Sequence, residues 1–326
     1  MAKKIILTVL SFALVFYLLS QFDARDVFRV VADFPPGYMF GGFALFILGH
    51  LVRALRIRVL LGGVVPARGL FRVIALQTAA VGFLPFRAGE FSLMYLLKSE
   101  YGVEYARGAA VLVLAKAFDF LIVVSLFLVS SGILPIVPGI YRDILPWAGA
   151  LFFAVVAALF FMGRSREIYR MLPAFFREGP LADNRFMEMV KKVFEGVEVI
   201  RSKKTLAGAL GTSLVLWVFL YGSNFLVIKG VGLDLSVMEM VFLVTSMSLF
   251  ANLPIHSPGG FGTTESFWTI VLVAMGVSKE MSIATGFGSH LVTIAYSLVF
   301  MLYGAGLFWK AGAGRAEPGA GGGGES

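Results

Sequence analysis

A chain of 326 residues that is 58% hydrophobic and 15% charged, with mean hydropathy +0.86, cannot hide its apolar surface in a soluble globule. The composition places it in a bilayer, with room for one polytopic domain and none for a large soluble enzyme domain. The net charge of +8 falls mostly in loops between apolar runs, which makes nucleic acid a poor partner, and the absence of cysteine excludes disulfides, thiolate metal sites and a cysteine nucleophile.

In chain order, Lys3 and Lys4 precede an apolar run over 5–22 that lacks a small-x-small cleavage site, and we read it as a retained signal-anchor helix. Further spans are expected at 38–61, 108–134, 145–162, 206–228 and 281–309. Two apolar stretches, 70–97 and 237–275, differ from these. Their arms are short and their tips are broken by Pro, Gly and charge: Leu84-Pro85-Phe86-Arg87-Ala88-Gly89-Glu90 in the first, Asn252-Leu253-Pro254-Ile255-His256-Ser257-Pro258-Gly259-Gly260 in the second. Non-helical backbone at membrane depth survives only where protein or a watery cavity satisfies its polar groups, so both read as re-entrant hairpins. The expected fold class is an all-α polytopic membrane protein of six spanning helices and two re-entrant hairpins. It forms one domain over 1–310, and a Gly/Ala-rich tail, 311–326, is expected to be disordered.

Lys and Arg are retained on the cytoplasmic side of a membrane, and only Arg25, Arg29, Arg142, Lys229 and Lys279 fall outside in the topology that obeys this rule. Both termini are then cytoplasmic, in an inner (cytoplasmic) membrane, and the hairpins insert from opposite faces. The basic segment 163–205 also falls inside, either as an amphipathic helix on an anionic leaflet or as a plain positive loop. Tyr101-Gly102-Val103 with Lys116 matches Met275-Gly276-Val277 with His290 at one constant offset. This similarity suggests repeats over 38–162 and 206–309, inverted in the membrane, an arrangement that places a site at the midplane and permits alternating access.

Ionisable residues at membrane depth are costly unless paired or wetted, which singles out Arg87, Glu90, Lys116, Asp119, Glu265 and His290. Lys116 and Asp119, three apart on one helix, form either a neutralising pair or a pair that reorganises around an anion. Pro85 ends the first hairpin's first arm, and Gly89 and Arg87 sit where free amides and a guanidinium make a phosphate receptor, with Glu90 tuning it or capping the helix. In the second hairpin Asn252, Pro254, Ser257, Gly259 and Gly260 supply polar groups and close backbone approach. Glu265 occupies the position of Glu90, and with His290 it is assigned any proton coupling. Arg53 is a further headgroup contact, whereas its neighbours Arg56 and Arg58 are explained by positive-inside anchoring. No recognised catalytic, metal or cofactor motif occurs, so the chain is read as a non-enzyme without a cofactor.

At these residues the chain resembles the transmembrane family of lysylphosphatidylglycerol synthases, the flippase domain of the multiple peptide resistance factor and its stand-alone relatives. The resemblance rests on Arg53-Ala54-Leu55-Arg56-Ile57-Arg58, the Leu84–Glu90 tip, Asp119, Asn252-Leu253-Pro254 and Pro258-Gly259-Gly260-Phe261-Gly262-Thr263-Thr264-Glu265. Family members usually carry Glu-Arg where this chain has Ala115-Lys116, and often a basic residue at His290. The resemblance implies lipid translocation without lysyl transfer, on the expectation that the Gly-rich tail stands where bifunctional members carry an aminoacyltransferase domain.

The reading is therefore a lipid flippase for an anionic phospholipid or an isoprenoid-linked lipid, with a lipid-modifying enzyme as a possible partner. Alternatives are a membrane-embedded enzyme or accessory subunit of lipid glycosylation, or a DedA-like scramblase.

Overall fold

Two long antiparallel helices form the spine on which the rest of the chain is hung. A computed structural model describes residues 29–84, 89–134, 139–162, 202–252 and 257–313, and within these all regular structure is helical. In chain order the helices are α1 (Pro36–Leu60), α2 (Ala67–Phe83), α3 (Ser92–Tyr101), α4 (Tyr105–Ile133), α5 (Gly139–Met162), α6 (Lys203–Gly230), α7 (Val237–Ala251), α8 (Thr263–Ala274) and α9 (Lys279–Ala313), with a 3₁₀ turn at Pro258–Gly260. The expected span at 5–22 and nearly all of 163–205 lie outside the described residues. Of the tail, the first three residues, 311–313, continue α9 rather than being disordered, and the rest lies outside the described residues.

The protein is an all-α membrane protein. Helices α4, α6 and α9 are each long and apolar enough to cross a bilayer. Helix α1, at 25 residues, reaches about 37 Å, but Arg53, Arg56 and Arg58 crowd its C-terminal half. The hairpin arms cannot span: 17 residues in α2 rise about 25 Å, 10 in α3 about 15 Å, 15 in α7 about 22 Å and 12 in α8 about 18 Å, against a ~30 Å hydrocarbon core. In the first hairpin the chain returns to where it began, because Arg72 near the start of α2 donates to the Tyr101 hydroxyl at the end of α3, 3.2 Å away.

Small residues set the spine. A side chain on Gly41 would meet Leu226, one on Gly49 would meet Leu220, and one on Gly208 would meet Val59, so α1 and α6 run past each other in opposite directions. The Ser223 hydroxyl donates to the Gly42 carbonyl at 2.9 Å across this contact. The buried stripe of α1 follows helical spacing: Gly42, Phe46, Gly49, His50, Ala54, Ile57 and Leu60, with Arg56 among them. Since α1 and α6 are antiparallel, α2 leaves from one end of the spine and α7 from the other. The two hairpins therefore start at opposite ends.

The helix ends and packing partners recur between the halves. Leu61, Gly62 and Gly63 donate to the carbonyls of Ile57, Val59 and Arg58, while Val231, Gly232 and Leu233 donate to those of Val227, Lys229 and Ile228, at one shared offset. Helix α2 packs on α9 and α7 on α4. Helix α3 packs on α4 as α8 does on α9, and α1 on α2 as α6 does on α7. Helix α5 packs on α4. The tip of the second hairpin, Pro258–Gly260, rests against α2, so the halves meet through their hairpins as well as their spine.

Candidate functional site

Two neighbouring cavities lie where the hairpins approach the spine. The smaller, about 190 Å³, is enclosed by α1, α2, α4 and the start of the first hairpin's return arm; the larger, about 400 Å³, lies between α1, α6, the second hairpin and α9. Arg53 and Thr78 line both and so form their common wall.

The smaller cavity is bounded by paired charges. Lys116 Nζ donates to Glu90 Oε1 at 2.7 Å, joining α4 to the turn that opens α3. Arg56 donates through Nη1 and Nη2 to the two oxygens of Asp119, at 2.6 and 3.1 Å, and through Nη1 to the Ser213 hydroxyl at 3.2 Å. Trp217 Nε1 adds a third donor to Asp119 at 2.9 Å, so α1, α4 and α6 converge on one carboxylate. Such a bidentate, charge-assisted contact fixes orientation as well as charge. Asp119 thus takes its bidentate partner from α1, and Lys116 reaches the first hairpin, where helical spacing suggested that these two residues would serve each other. Arg56 is likewise not the anchor at the membrane surface that positive-inside reasoning made it: it is 2% exposed.

The second hairpin carries the counterpart of the Glu90–Lys116 pair. His290 Nδ1 lies 2.6 Å from Glu265 Oε1, and Glu265 Oε2 accepts the Gly262 amide at 2.7 Å, capping α8. Gly262 holds φ +82, open to glycine at little cost, which is what turns its amide toward the carboxylate. The counterparts differ in burial: the Lys116 and Glu90 side chains are 31% and 18% exposed, the His290 and Glu265 side chains 11% and 0%. The first pair opens to the smaller cavity; in the second, Glu265 is sealed and His290 lines the larger cavity.

Several sequence-selected residues build turns instead of lining either cavity. Asn252 Nδ2 donates to the Ser248 carbonyl at 2.7 Å, and the Ser257 hydroxyl donates to the Phe261 carbonyl at 2.5 Å. Gly259 and Gly260, at φ +67 and +75, carry the 3₁₀ turn. Gly89 lies so close to the Ala80 carbonyl that any side chain there would collide with backbone. Pro85, Arg87, Pro254 and His256 fall outside the described residues. Sequence reasoning missed Arg56, Trp217, Ser213 and Thr78. Arg56 had a signal, since Gly49, Arg53, Arg56 and Leu60 share a helical stripe that excludes Arg58. The other three are distant in sequence and betray nothing locally.

The family model described as the lysylphosphatidylglycerol synthase transmembrane region matches residues 4–300. The chain belongs to this family. It is also 24% identical over 330 aligned positions to a protein named Glycosyltransferase AglD from Haloferax volcanii, an alignment covering 90% of this chain and 52% of that protein. The chain thus spans about half the length of that curated relative. No solved structure matches it.

Proposed function

We propose that this protein moves an anionic lipid between membrane leaflets, with the headgroup passing through the two cavities and over Arg53. The observation that carries the reading is the position of Arg53, which with Thr78 forms the wall between two cavities, each built on its own hairpin. Arg presents a planar fork suited to phosphate, and the Arg56–Asp119 and Lys116–Glu90 pairs flank it in the smaller cavity. The recurrence of helix ends, packing partners and a Glu paired with a basic residue supports an inverted repeat, in which alternating access is a rocking of one half against the other. The family's lipid association agrees with a lipid as cargo. Cytoplasmic termini in an inner membrane complete the proposal.

A second reading is favoured by one finding, the glycosyltransferase name of the Haloferax relative: the chain acts within lipid glycosylation as an enzyme or accessory subunit. Purified protein in proteoliposomes containing labelled lipid separates the two. Redistribution between leaflets at constant lipid mass is expected; a change of mass, with a sugar donor supplied, selects the second reading, and neither result rejects both.

A further inference from the structure

The two cavities differ in the surface they offer. The smaller is lined by Arg53, Arg56, Lys116, Glu90 and Asp119, so charge surrounds it. The wall of the larger is mostly apolar, and among the described residues its one permanently charged side chain is Arg53, on the side that the two cavities share. A charged pocket and an apolar one that meet at a guanidinium have the polarity of a lipid molecule.

Helix α6 gives the larger cavity its length. Trp217, Leu220, Asn224, Val227 and Ile228 line it at helical spacing, and Trp217 to Ile228 covers about 16 Å at 1.5 Å per residue. This face starts beside the smaller cavity, where Trp217 Nε1 donates to Asp119 at 2.9 Å, and leads away from it. Phe46 of α1, Val244 and Met247 of α7 and Phe267 of α8 line it as well, and Phe250 stacks on Phe267 with centroids 4.0 Å apart.

The polar groups in this wall mostly have partners of their own. Thr78, Ser248 and Thr293 donate to the carbonyls of Ile74, Val244 and Ser289, one turn back in their own helices, each at 2.8 Å. Trp268 spends its N–H on Thr285 at 3.2 Å, and neither Thr285 nor Asp119 lines this cavity. The Nδ1 atoms of His50 and His290 lie 2.9 Å from the Phe46 carbonyl and 2.6 Å from Glu265. Groups satisfied in this way can border hydrocarbon at little cost. Asn224 and Thr293 line the cavity and are exposed, so it is not sealed from its surroundings.

We infer that the larger cavity is a slot for one hydrocarbon chain of the anionic lipid, whose phosphate rests at Arg53 and whose headgroup occupies the smaller cavity. Charge at membrane depth is costly unless paired, which places the headgroup among the ion pairs; the chain gains close van der Waals packing, the contact that distinguishes partners where the surroundings are equally apolar. At about 400 Å³ the slot lies within the ~300–1,000 Å³ range of small-molecule sites. This rests on the proposal that an anionic lipid is the cargo, and assigns the parts of that lipid to the two cavities at rest.

The slot carries its own reporters. In a Trp147→Phe, Trp309→Phe variant the remaining tryptophans are Trp217 and Trp268, both in its wall. Phosphatidylglycerol or phosphatidic acid brominated in mid-chain, titrated into this protein in detergent, is expected to quench them saturably. Ala251→Phe, which fills the slot from α7, should weaken the long-chain lipid about tenfold and its dihexanoyl form less than about twofold, with affinities read by calorimetry and Ser248→Leu as a second filling variant. Absence of quenching by both lipids, quenching that neither filling variant weakens, or an equal loss for long and short chains overturns the inference. In proteoliposomes, saturable quenching without lipid movement rejects translocation alone, and movement without quenching rejects the slot alone.

Discussion

Arg56 and Asp119, 63 residues apart in the chain, meet through two hydrogen bonds of 2.6 and 3.1 Å, and Trp217 of a third helix closes on the same carboxylate at 2.9 Å. The pair pins α1 to α4 one helical turn from Arg53, and so fixes the floor from which Arg53 meets both cavities. Its role is to hold geometry, because both of its charges are already matched.

Breaking this pair from one side should be worse than removing it. Asp119→Ala leaves a buried guanidinium without its carboxylate and is expected to cost roughly 3–5 kcal/mol, whereas Arg56→Met with Asp119→Leu should recover most of that. Thermal unfolding in detergent measures both. A single variant no worse than the double one would deny the pair its structural role.

Arg53 behaves differently if it meets an anion. Arg53→Ala is expected to lose lipid movement while keeping the wild-type melting temperature, and Arg53→Lys to keep part of the activity, since charge survives without the planar fork. Wild-type transport by Arg53→Ala would remove the residue from the mechanism.

The Glu90–Lys116 and Glu265–His290 pairs should differ in their pH response. His290 lies against Glu265, whose other oxygen caps α8 through the Gly262 amide, so a proton can be shared between imidazole and carboxylate there; Glu90 faces a lysine instead. Transport in wild type, measured from about pH 5 to 8, is expected to vary, and Glu265→Gln or His290→Gln to flatten the profile. Glu90→Gln should scale the rate and keep its shape. A profile flattened by Glu90→Gln alone reverses the assignment, and a flat wild-type profile points to passive scrambling.

Antiparallel packing of α1 and α6 fixes the relative sides of two turns, and the proposed cytoplasmic termini give each turn its expected side. In the cysteine-free chain, Arg68→Cys should react with a membrane-impermeant maleimide only from the cytoplasmic side, and Asp234→Cys only from the outer side. Labelling of both from one face would rule out hairpins that start at opposite ends of the spine.

The turn after α6 offers a pH marker outside the spans. A hydrogen bond of 2.5 Å from Lys229, and then its charge, hold the Asp234 carboxyl below its usual range. Its contribution to stability is present above the ordinary carboxylate pKa and is lost as pH falls through the depressed value. Because Asp234 is fully exposed, Lys229→Met should raise its NMR titration midpoint and leave the melting temperature unchanged.

Apolar run length, Pro and Gly breaks and charge placement were enough to read α1, α4, α5, α6 and α9 as long helices and α2–α3 and α7–α8 as short-armed hairpins. Those signals are local: a helix satisfies its own backbone wherever it lies, and a glycine or proline interrupts it whatever its neighbours do. The matching of Glu90 with Glu265 and of Lys116 with His290 was legible for a similar reason, since register along a repeated hairpin-and-helix unit is carried by the order of residues. Which charge met which was not. Helical spacing offered Asp119 a neighbour in Lys116, yet the fold gave it Arg56 and Trp217, because the small-residue contact of α1 with α6 brings three helices onto one carboxylate. The larger cavity is likewise a tertiary property. Thr78, Ser248 and Thr293 are ordinary helix residues on α2, α7 and α9, and only the packing of those helices brings them to one space.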